Sequence, residues 1–200
     1  MRITTKRLSG MCAVLLLALA IPSVALGQAQ HVRWDITSVV FGPSNTLNPG
    51  GVADAKAPNN GGNIRFTGAG TFVAPAGRRG SSGAATGGGT WETFDNANNS
   101  TGSGNYTVTG LVRFELANFQ TPGNIDNIGN ADEAANGYAY LQIEYDDGSR
   151  GVLGVFCHGP GAPDGIPEGI NATKGFVSYI EVQGPAPLID ANRTVFHVRN

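Results

Sequence analysis

Residues 105–116 read NYTVTGLVRFEL, and this stretch decides the fold class. Apolar or small side chains occupy its even positions up to residue 114, and polar side chains occupy most of its odd positions. Because successive side chains of a β-strand point to opposite faces, a period of two is typical of a strand with one buried face. The pattern predicts that the following residues face the interior: Tyr106, Val108, Gly110, Val112 and Phe114.

The same alternation recurs over residues 32–40 and 63–74. Glycine, proline and asparagine dominate the segments between alternating stretches, and only one helical turn is predicted, near residues 130–135. Regular strands without crossover helices predict an all-β domain, either a single antiparallel barrel-like meander of about eight strands or, alternatively, a β-sandwich. The shorter predicted strands cover residues 90–95, 137–145, 150–158, 173–182 and 193–199.

One hairpin is predicted in detail, between residues 138–145 and 150–158. The connecting Asp146 and Asp147 suit a type I turn, and Gly148 suits the left-handed position of a following bulge. A bulged three-residue loop places Leu141 on the same face as Leu153, whereas a plain two-residue turn would match that face to Val152. We predict the bulged loop.

The first 27 residues have the layout of a secretory signal peptide. Three basic residues precede an apolar run over residues 11–26, and small residues stand at Ala25 and Gly27. The alternative, an N-terminal membrane anchor, would need about 20 uninterrupted apolar residues, but Pro22 interrupts this run. We expect cleavage after Gly27, a single domain over residues 28–200, secretion or periplasmic export, and no stable membrane insertion afterwards.

The charge and the cysteine content of the chain argue against some classes of function. The mature chain would carry ten basic against fifteen acidic residues, a formal charge of −5, which argues against a nucleic-acid partner. Cys12 leaves with the signal peptide, so Cys157 remains alone and is predicted to be a buried thiol. Its neighbour His158 would point to the opposite face of the strand, so the pair does not predict a nucleophilic site.

No metal, cofactor or catalytic residue is predicted. The three histidines are scattered without metal-binding spacing. The oxygen-bearing side chains of residues 124–133 do not follow a calcium-loop pattern, and Asp and Asn are ordinary turn residues. Because charged residues of the well-patterned strands fall on the outer faces, a ligand site is expected in the loops.

The loop residues predicted to bind a ligand form a rim around residues 158–171. This stretch contains three prolines and four glycines, and the prolines predict a stiff, preformed connection. Trp34 falls on a buried face and is assigned to the core. The predicted ligand-binding residues are Trp91, His158, Asp164 and Glu168.

Two short resemblances accompany the predicted strands. Residues 102–106 (GSGNY), followed by Gly110, resemble the glycine-rich strand entry of allene oxide cyclase-like and dirigent-like barrels. Residues 89–91 (GTW) are similar to the G-x-W of avidin-like and lipocalin-like barrels, which have it on their first strand. The first resemblance implies a barrel that handles small apolar molecules, and the second implies ligand capture. Each covers fewer than ten residues.

These observations favour an exported, non-enzymatic β-barrel-like domain that binds a small apolar ligand or a surface partner through its loops. The absence of an inward-facing titratable group motivates the non-enzymatic interpretation. The first alternative is a cofactor-free isomerase or cyclase of the allene oxide cyclase-like type. The second is a structural cell-surface protein.

Overall fold

The computed structural model describes residues 29–59, 61–75 and 84–199. The predicted signal peptide, with Cys12, lies outside the described residues. About 60% of the described residues are in strands, and the described ranges contain fourteen strands and one short 3-10 turn at Ala131–Glu133. None of the helical segments in those ranges is long and apolar enough to span a bilayer. The predicted all-β, barrel-like fold class is confirmed.

The strands are named in chain order, and the structure has more of them than the eight predicted. The additional ones are short segments without clear alternation, since two to four residues are too few to show a period. The strands are β1 (Gln30–Val40), β2 (Thr46–Pro49), β3 (Ala53–Lys56), β4 (Asn63–Phe66), β5 (Ala69–Ala74), β6 (Thr86–Phe94), β7 (Ser100–Phe119), β8 (Ile125–Asp126), β9 (Ala134–Tyr145), β10 (Arg150–Cys157), β11 (Gly169–Lys174), β12 (Val177–Tyr179), β13 (Glu181–Val182) and β14 (Thr194–Arg199).

Six strands close into an antiparallel barrel in the order β1, β5, β6, β7, β9, β14 and back to β1. Closure leaves the barrel strands without free edges in this ring. The sheet continues beyond the barrel through β10, β11 and β12 on one side and through β4, β3 and β13 on the other. Strands β2 and β8 cover the second half of β1.

Large side chains fill the interior. Phe114 makes edge-to-face contacts with Phe72 and with Phe196, with ring centroids 5.2 and 5.5 Å apart. Such geometry is favourable for aromatic pairs. Trp34 is fully buried, as predicted. The largest fully buried side chains are Trp34, Tyr145, Phe66, Phe72, Phe196, Ile36, Ile64, Leu111, Leu141, Ile143, Leu153 and Ile170.

Strand β7 departs from its predicted pattern at one point. Its register against β9 shifts three times, first between Val108 and Gly110, again between Leu111 and Arg113, and once more between Leu116 and Asn118. Each irregularity moves the following side chains to the other face, so Leu111 is buried while Val112 is 38% exposed. The prediction that Val112 faces the interior was therefore wrong, and the second shift restores the alternation.

Two other predicted strands are divided. Residues 63–74 form β4 and β5, which separate at Gly68, where φ is +148° and a Cβ would lie 2.6 Å from the Gly88 carbonyl oxygen. Residues 173–182 include the end of β11, a turn, and then β12 and β13. The 145–150 hairpin is as predicted: Leu141 pairs with Leu153, and Gly148 has φ of +82°.

Part of the barrel's outer wall is buried as well. Asp35 and His197, which the alternation places outside, are 1% and 3% exposed. The segment that includes β8 and the 3-10 turn covers them, and Ile128 joins a second small core with Val39 and Val195. The sequence pattern identified the face correctly, but a residue on the outer face of the barrel is not always exposed to solvent.

Candidate functional site

The proline-rich loop over residues 158–168, between β10 and β11, is tied to the end of the barrel by hydrogen bonds. The Gly159 N–H donates to Asn136 Oδ1 at 2.8 Å, and Asn136 is fully buried in β9. Asn118 Nδ2, on β7, donates to the Gly161 carbonyl oxygen at 2.7 Å. The Thr121 N–H donates to the Pro160 carbonyl oxygen at 2.9 Å. These bonds give the loop a fixed position at the rim.

Glu168 ends this loop and connects it to the first residue of β14. One carboxylate oxygen, Oε1, accepts a hydrogen bond from the Thr194 N–H at 2.6 Å, and Oε2 accepts one from the His158 N–H. His158 Nδ1 lies 2.7 Å from the Ile166 carbonyl oxygen. Because a carbonyl oxygen only accepts, Nδ1 carries the hydrogen of this ring. The loop thus fixes both the carboxylate and the imidazole.

Burial raises the pKa of Glu168 to about 7. Burial disfavours the charged carboxylate, whereas the two backbone hydrogen bonds and the positive charge of Arg193 favour it and hold the pKa below what burial alone would give. At neutral pH Glu168 is therefore present in both its protonated and its ionised forms. Groups of this kind cluster at functional sites, although structural networks also produce them.

Glu168 and His158 line a pocket of about 210 Å³ at the rim of the barrel, which we call the rim pocket. The polar side chains of Gln120, Asn124 and Arg193 also line it, together with Val39, Leu47 and Pro160. Its walls thus come from loops and strand ends that are far apart in the chain.

Arg193 is the cation of the rim pocket. Its guanidinium lies over the Phe41 ring, 5.1 Å from the ring centroid. Its Nε is buried and has no hydrogen-bond partner, and the side chain forms no ion pair with any described residue. A buried donor without an acceptor costs free energy, so a ligand that supplies an acceptor here gains that energy back.

The Cys157 thiol is fully buried next to the pocket, as predicted. It accepts a hydrogen bond from Gln120 Nε2 and donates one to the Thr194 carbonyl oxygen, both at 3.3 Å. Burial, with a smaller contribution from the charge of Glu168, raises the pKa of the thiol well above its usual range. Since the thiolate is the nucleophile, Cys157 is unsuited to covalent chemistry.

The structure brings together two of the four predicted ligand-binding residues. His158 and Glu168 line the rim pocket, but Asp164 is an exposed loop residue that is not among its lining residues. Trp91 is 6% exposed and lines a different hollow, and Lys174 Nζ lies 4.2 Å from its ring centroid. That these residues bind a ligand stays a prediction.

Sequence reasoning missed Gln120, Asn124 and Arg193. Gln120 and Asn124 stand in the connection after β7, and Arg193 directly precedes β14. Only the closure of β14 against β1 and β9 brings Arg193 to Glu168, and no local motif signals that long-range pairing. The one local signal for Arg193 as a pocket residue was an isolated arginine at the start of a strand. Such an arginine is common on protein surfaces.

Three of the oxygen-bearing side chains of residues 124–133 make contacts that stabilise the fold. Asp126 contacts His197, Asn130 caps the 3-10 turn, and Glu133 pairs with Arg199. In the part of the chain that the structure describes, no group of three or more His, Cys, Asp or Glu side chains is placed to hold a metal ion.

Comparison with known proteins finds no matching family model, no matching curated protein and no matching solved structure. The two short resemblances noted in the sequence lie on β6 and β7, within the barrel wall. The function is therefore argued from the geometry of the rim pocket.

Proposed function

We propose that this chain is an exported, non-enzymatic binding protein that holds a small polar molecule in the rim pocket. The observation that carries this proposal is the guanidinium of Arg193, whose buried Nε has no hydrogen-bond partner among the described residues, in the same pocket as Glu168, whose pKa is raised to about 7. A buried donor without an acceptor costs free energy. A bound ligand with an oxygen acceptor compensates for that cost.

The lining of the pocket favours a polar ligand over the apolar one expected from the sequence. Gln120, Asn124 and His158 supply hydrogen-bonding groups, while the barrel interior is filled by aromatic and aliphatic side chains. A ligand inside the barrel would have to displace this close-packed core. At the rim, the hydrogen-bonded proline-rich loop provides a preformed wall, which lowers the entropic cost of binding.

The protonation state of Glu168 determines which hydrogen bond it can make to a ligand. In its protonated form it donates a hydrogen bond to a ligand oxygen, and in its ionised form it accepts one. Together with Arg193, the protonated form suits a ligand that carries a carboxylate or another oxygen acceptor. The ionised form would repel such an anion, so we expect binding to weaken as the pH rises above about 7.

A second candidate function rests on the same carboxylate. A group whose pKa lies near neutral pH is suited to general acid and base catalysis, so Glu168 is the residue that a cofactor-free isomerase would use. In this case the substrate occupies the rim pocket, and Glu168 moves a proton between two of its atoms.

Native mass spectrometry of the protein purified from its producing cells tests the first proposal. We expect a co-purified small molecule that is lost in Arg193→Gln and kept in Glu181→Gln, a control at an exposed carboxylate outside the pocket. An NMR titration with acetate and with glucose complements it, because the His158 and Thr194 backbone N–H groups report directly on the Glu168 carboxylate.

The outcomes separate the three functions. A released compound whose NMR spectrum changes on incubation with fresh protein, but not with Glu168→Gln, favours the isomerase. A compound that stays unchanged favours the binding protein. If the wild type carries no molecule and neither probe shifts the two N–H signals saturably, the binding proposal is overturned and a structural cell-surface role is favoured.

A further inference from the structure

A second pocket lies on the outer wall of the barrel, apart from the rim pocket. Strands β5, β1 and β14 run side by side there, and residues 128–129 and Glu133 border them. The cavity has a volume of about 340 Å³. We call it the wall pocket, and its polar lining residues are His31, Arg33, Thr71, Glu133, His197 and Arg199.

His197 is the buried group of the wall pocket. Its side chain is 3% exposed, and Nε2 lies 2.9 Å from Asp126 Oδ2. Asp126 is itself 2% exposed, and its Oδ1 accepts hydrogen bonds from the Ile128 and Gly129 N–H groups at 2.8 and 3.0 Å. This carboxylate is an acceptor at every contact, so Nε2 of His197 is the donor.

The remaining ring nitrogen of His197 is without a partner. Nδ1 is buried and has no hydrogen bond within the described ranges. Gly129 packs against the face of the ring: a Cβ at this position would lie 2.6 Å from Cδ2 and 2.8 Å from Nε2. The backbone of Gly129 thus fixes the position of the ring. A buried polar atom of this kind is normally satisfied by water or by a ligand.

At the opening of the wall pocket, two arginines have more N–H donors than their carboxylate partners use. Arg33 uses Nε and Nη2 to bind both oxygens of Asp35, at 2.7 and 2.8 Å. Arg199 uses Nε to bind Glu133 at 2.7 Å. Each guanidinium has five N–H donors, so both arginines keep N–H groups that are free to hydrogen-bond a ligand. Both oxygens of Asp35 and of Asp126 already accept hydrogen bonds.

We propose that the wall pocket is a binding site for a small oxyanion, a group of the carboxylate, sulfate or phosphate type. The oxygens of the anion accept hydrogen bonds from the free N–H groups of Arg33 and Arg199. At the inner end, His197 binds as the imidazolium, with Nε2 donating to Asp126 and Nδ1 donating to the anion. The Arg33–Asp35 and His197–Asp126 pairs position these donors before the anion arrives.

Sulfate is the probe for this site, because its charge does not change near neutral pH. At pH 6 and constant ionic strength, we expect sodium sulfate to shift the ring signals of His197 saturably. Sodium chloride serves as the salt control, and glycerol as the neutral control. Saturation by glycerol rather than by sulfate would overturn the oxyanion assignment.

Arg199→Gln is the variant of choice, because the side chain is 68% exposed and its removal leaves the barrel core intact. We expect sulfate to bind about tenfold more weakly, the loss of one charge-assisted hydrogen bond. Arg113→Gln is the matched control, since Arg113 is 61% exposed, pairs with Glu115 and is not a lining residue of either pocket. The proposal fails if wild type shows no saturable shift or if both variants weaken sulfate equally.

Discussion

Glu168 and Asp126 are both carboxylates withdrawn from water on the outside of one barrel, yet their surroundings shift their pKa values in opposite directions. Burial raises the pKa of both groups when it acts alone. For Asp126 the hydrogen bonds from His197 and from two backbone N–H groups outweigh burial, and the pKa is lowered. For Glu168 two backbone N–H groups do not outweigh it, and the pKa rises to about 7.

One difference between the two carboxylates is a directly bonded imidazole. His197 contacts Asp126 at 2.9 Å, whereas Arg193 contributes its charge to Glu168 without a hydrogen bond. Opposite charge in contact stabilises a carboxylate more than the same charge at a distance, because the attraction falls with separation. One carboxylate therefore serves as a fixed charge of the fold, and the other can exchange a proton with a ligand.

The largest expected effect comes from removing the fixed charge. We expect Asp126→Ala to lower the free energy of unfolding by about 3 to 5 kcal/mol, because it leaves buried His197 and two backbone N–H groups without their acceptor. Urea unfolding followed by tryptophan fluorescence measures it. As a control, Asp54→Ala breaks the half-exposed pair with Arg65 and should cost about 1 kcal/mol or less. Equal losses in both variants would contradict the structural role of Asp126.

The proton of Glu168 gives the next largest effect. Its pKa is higher in the folded chain than its ordinary value of 4.5, so the folded state binds the proton more tightly. The stabilisation of the folded state by this proton is fully present below about pH 4.5 and is lost as the pH rises through about 7. We expect this group to lower the free energy of unfolding by about 3 kcal/mol across that range.

Glu168→Gln isolates this effect. The amide does not titrate, so the decrease in stability between pH 5 and 8 should become smaller by about the contribution of one shifted carboxylate. Urea unfolding at several pH values, compared with Glu181→Gln as a control for an exposed carboxylate, measures the difference. An unchanged pH dependence in Glu168→Gln would show that Glu168 titrates normally.

Cys157 tests whether the polar contacts behind the rim pocket are formed. From the sequence, replacing a buried thiol by serine predicts a cost of about 1 to 3 kcal/mol, because the hydroxyl would lack a partner. The structure supplies an acceptor, the Thr194 carbonyl oxygen, and a donor, Gln120 Nε2. We therefore expect Cys157→Ser to cost about 1 kcal/mol in urea unfolding. A loss of 3 kcal/mol would indicate that these two contacts do not form.

How much the sequence could predict follows from the range of the interactions. Alternation is local, so it predicted the barrel-like class and the buried Trp34, and the equally local turn residues Asp146, Asp147 and Gly148 predicted the register of the 145–150 hairpin. The exposure of Val112 depends on two register shifts against a distant strand, which one sequence does not show. The burial of His197 depends on a covering segment some seventy residues earlier in the chain.

The residues of the candidate site also differ in whether a local or a long-range interaction brings them to the pocket. His158 and Glu168 were predicted because one stiff loop carries both, whereas Arg193 enters the pocket only through long-range strand pairing. Trp91, which was also predicted to bind a ligand, lines a different pocket, where Lys174 Nζ lies over its ring. The local stiffness of a loop can be predicted from its prolines, but the assembly of separate loops into one pocket cannot be predicted from local sequence.

The smallest expected effect concerns the charge that acts on Glu168 from a distance. Arg193 holds the pKa of Glu168 below the value that burial alone would give, so Arg193→Gln should raise that pKa further. A carboxyl-carbon NMR titration of Glu168 measures the shift directly. Arg150→Gln is the control, because Arg150 is 81% exposed and is not a lining residue of the rim pocket. If the midpoint for Glu168 moves downward or not at all in Arg193→Gln, the guanidinium does not act on this carboxylate.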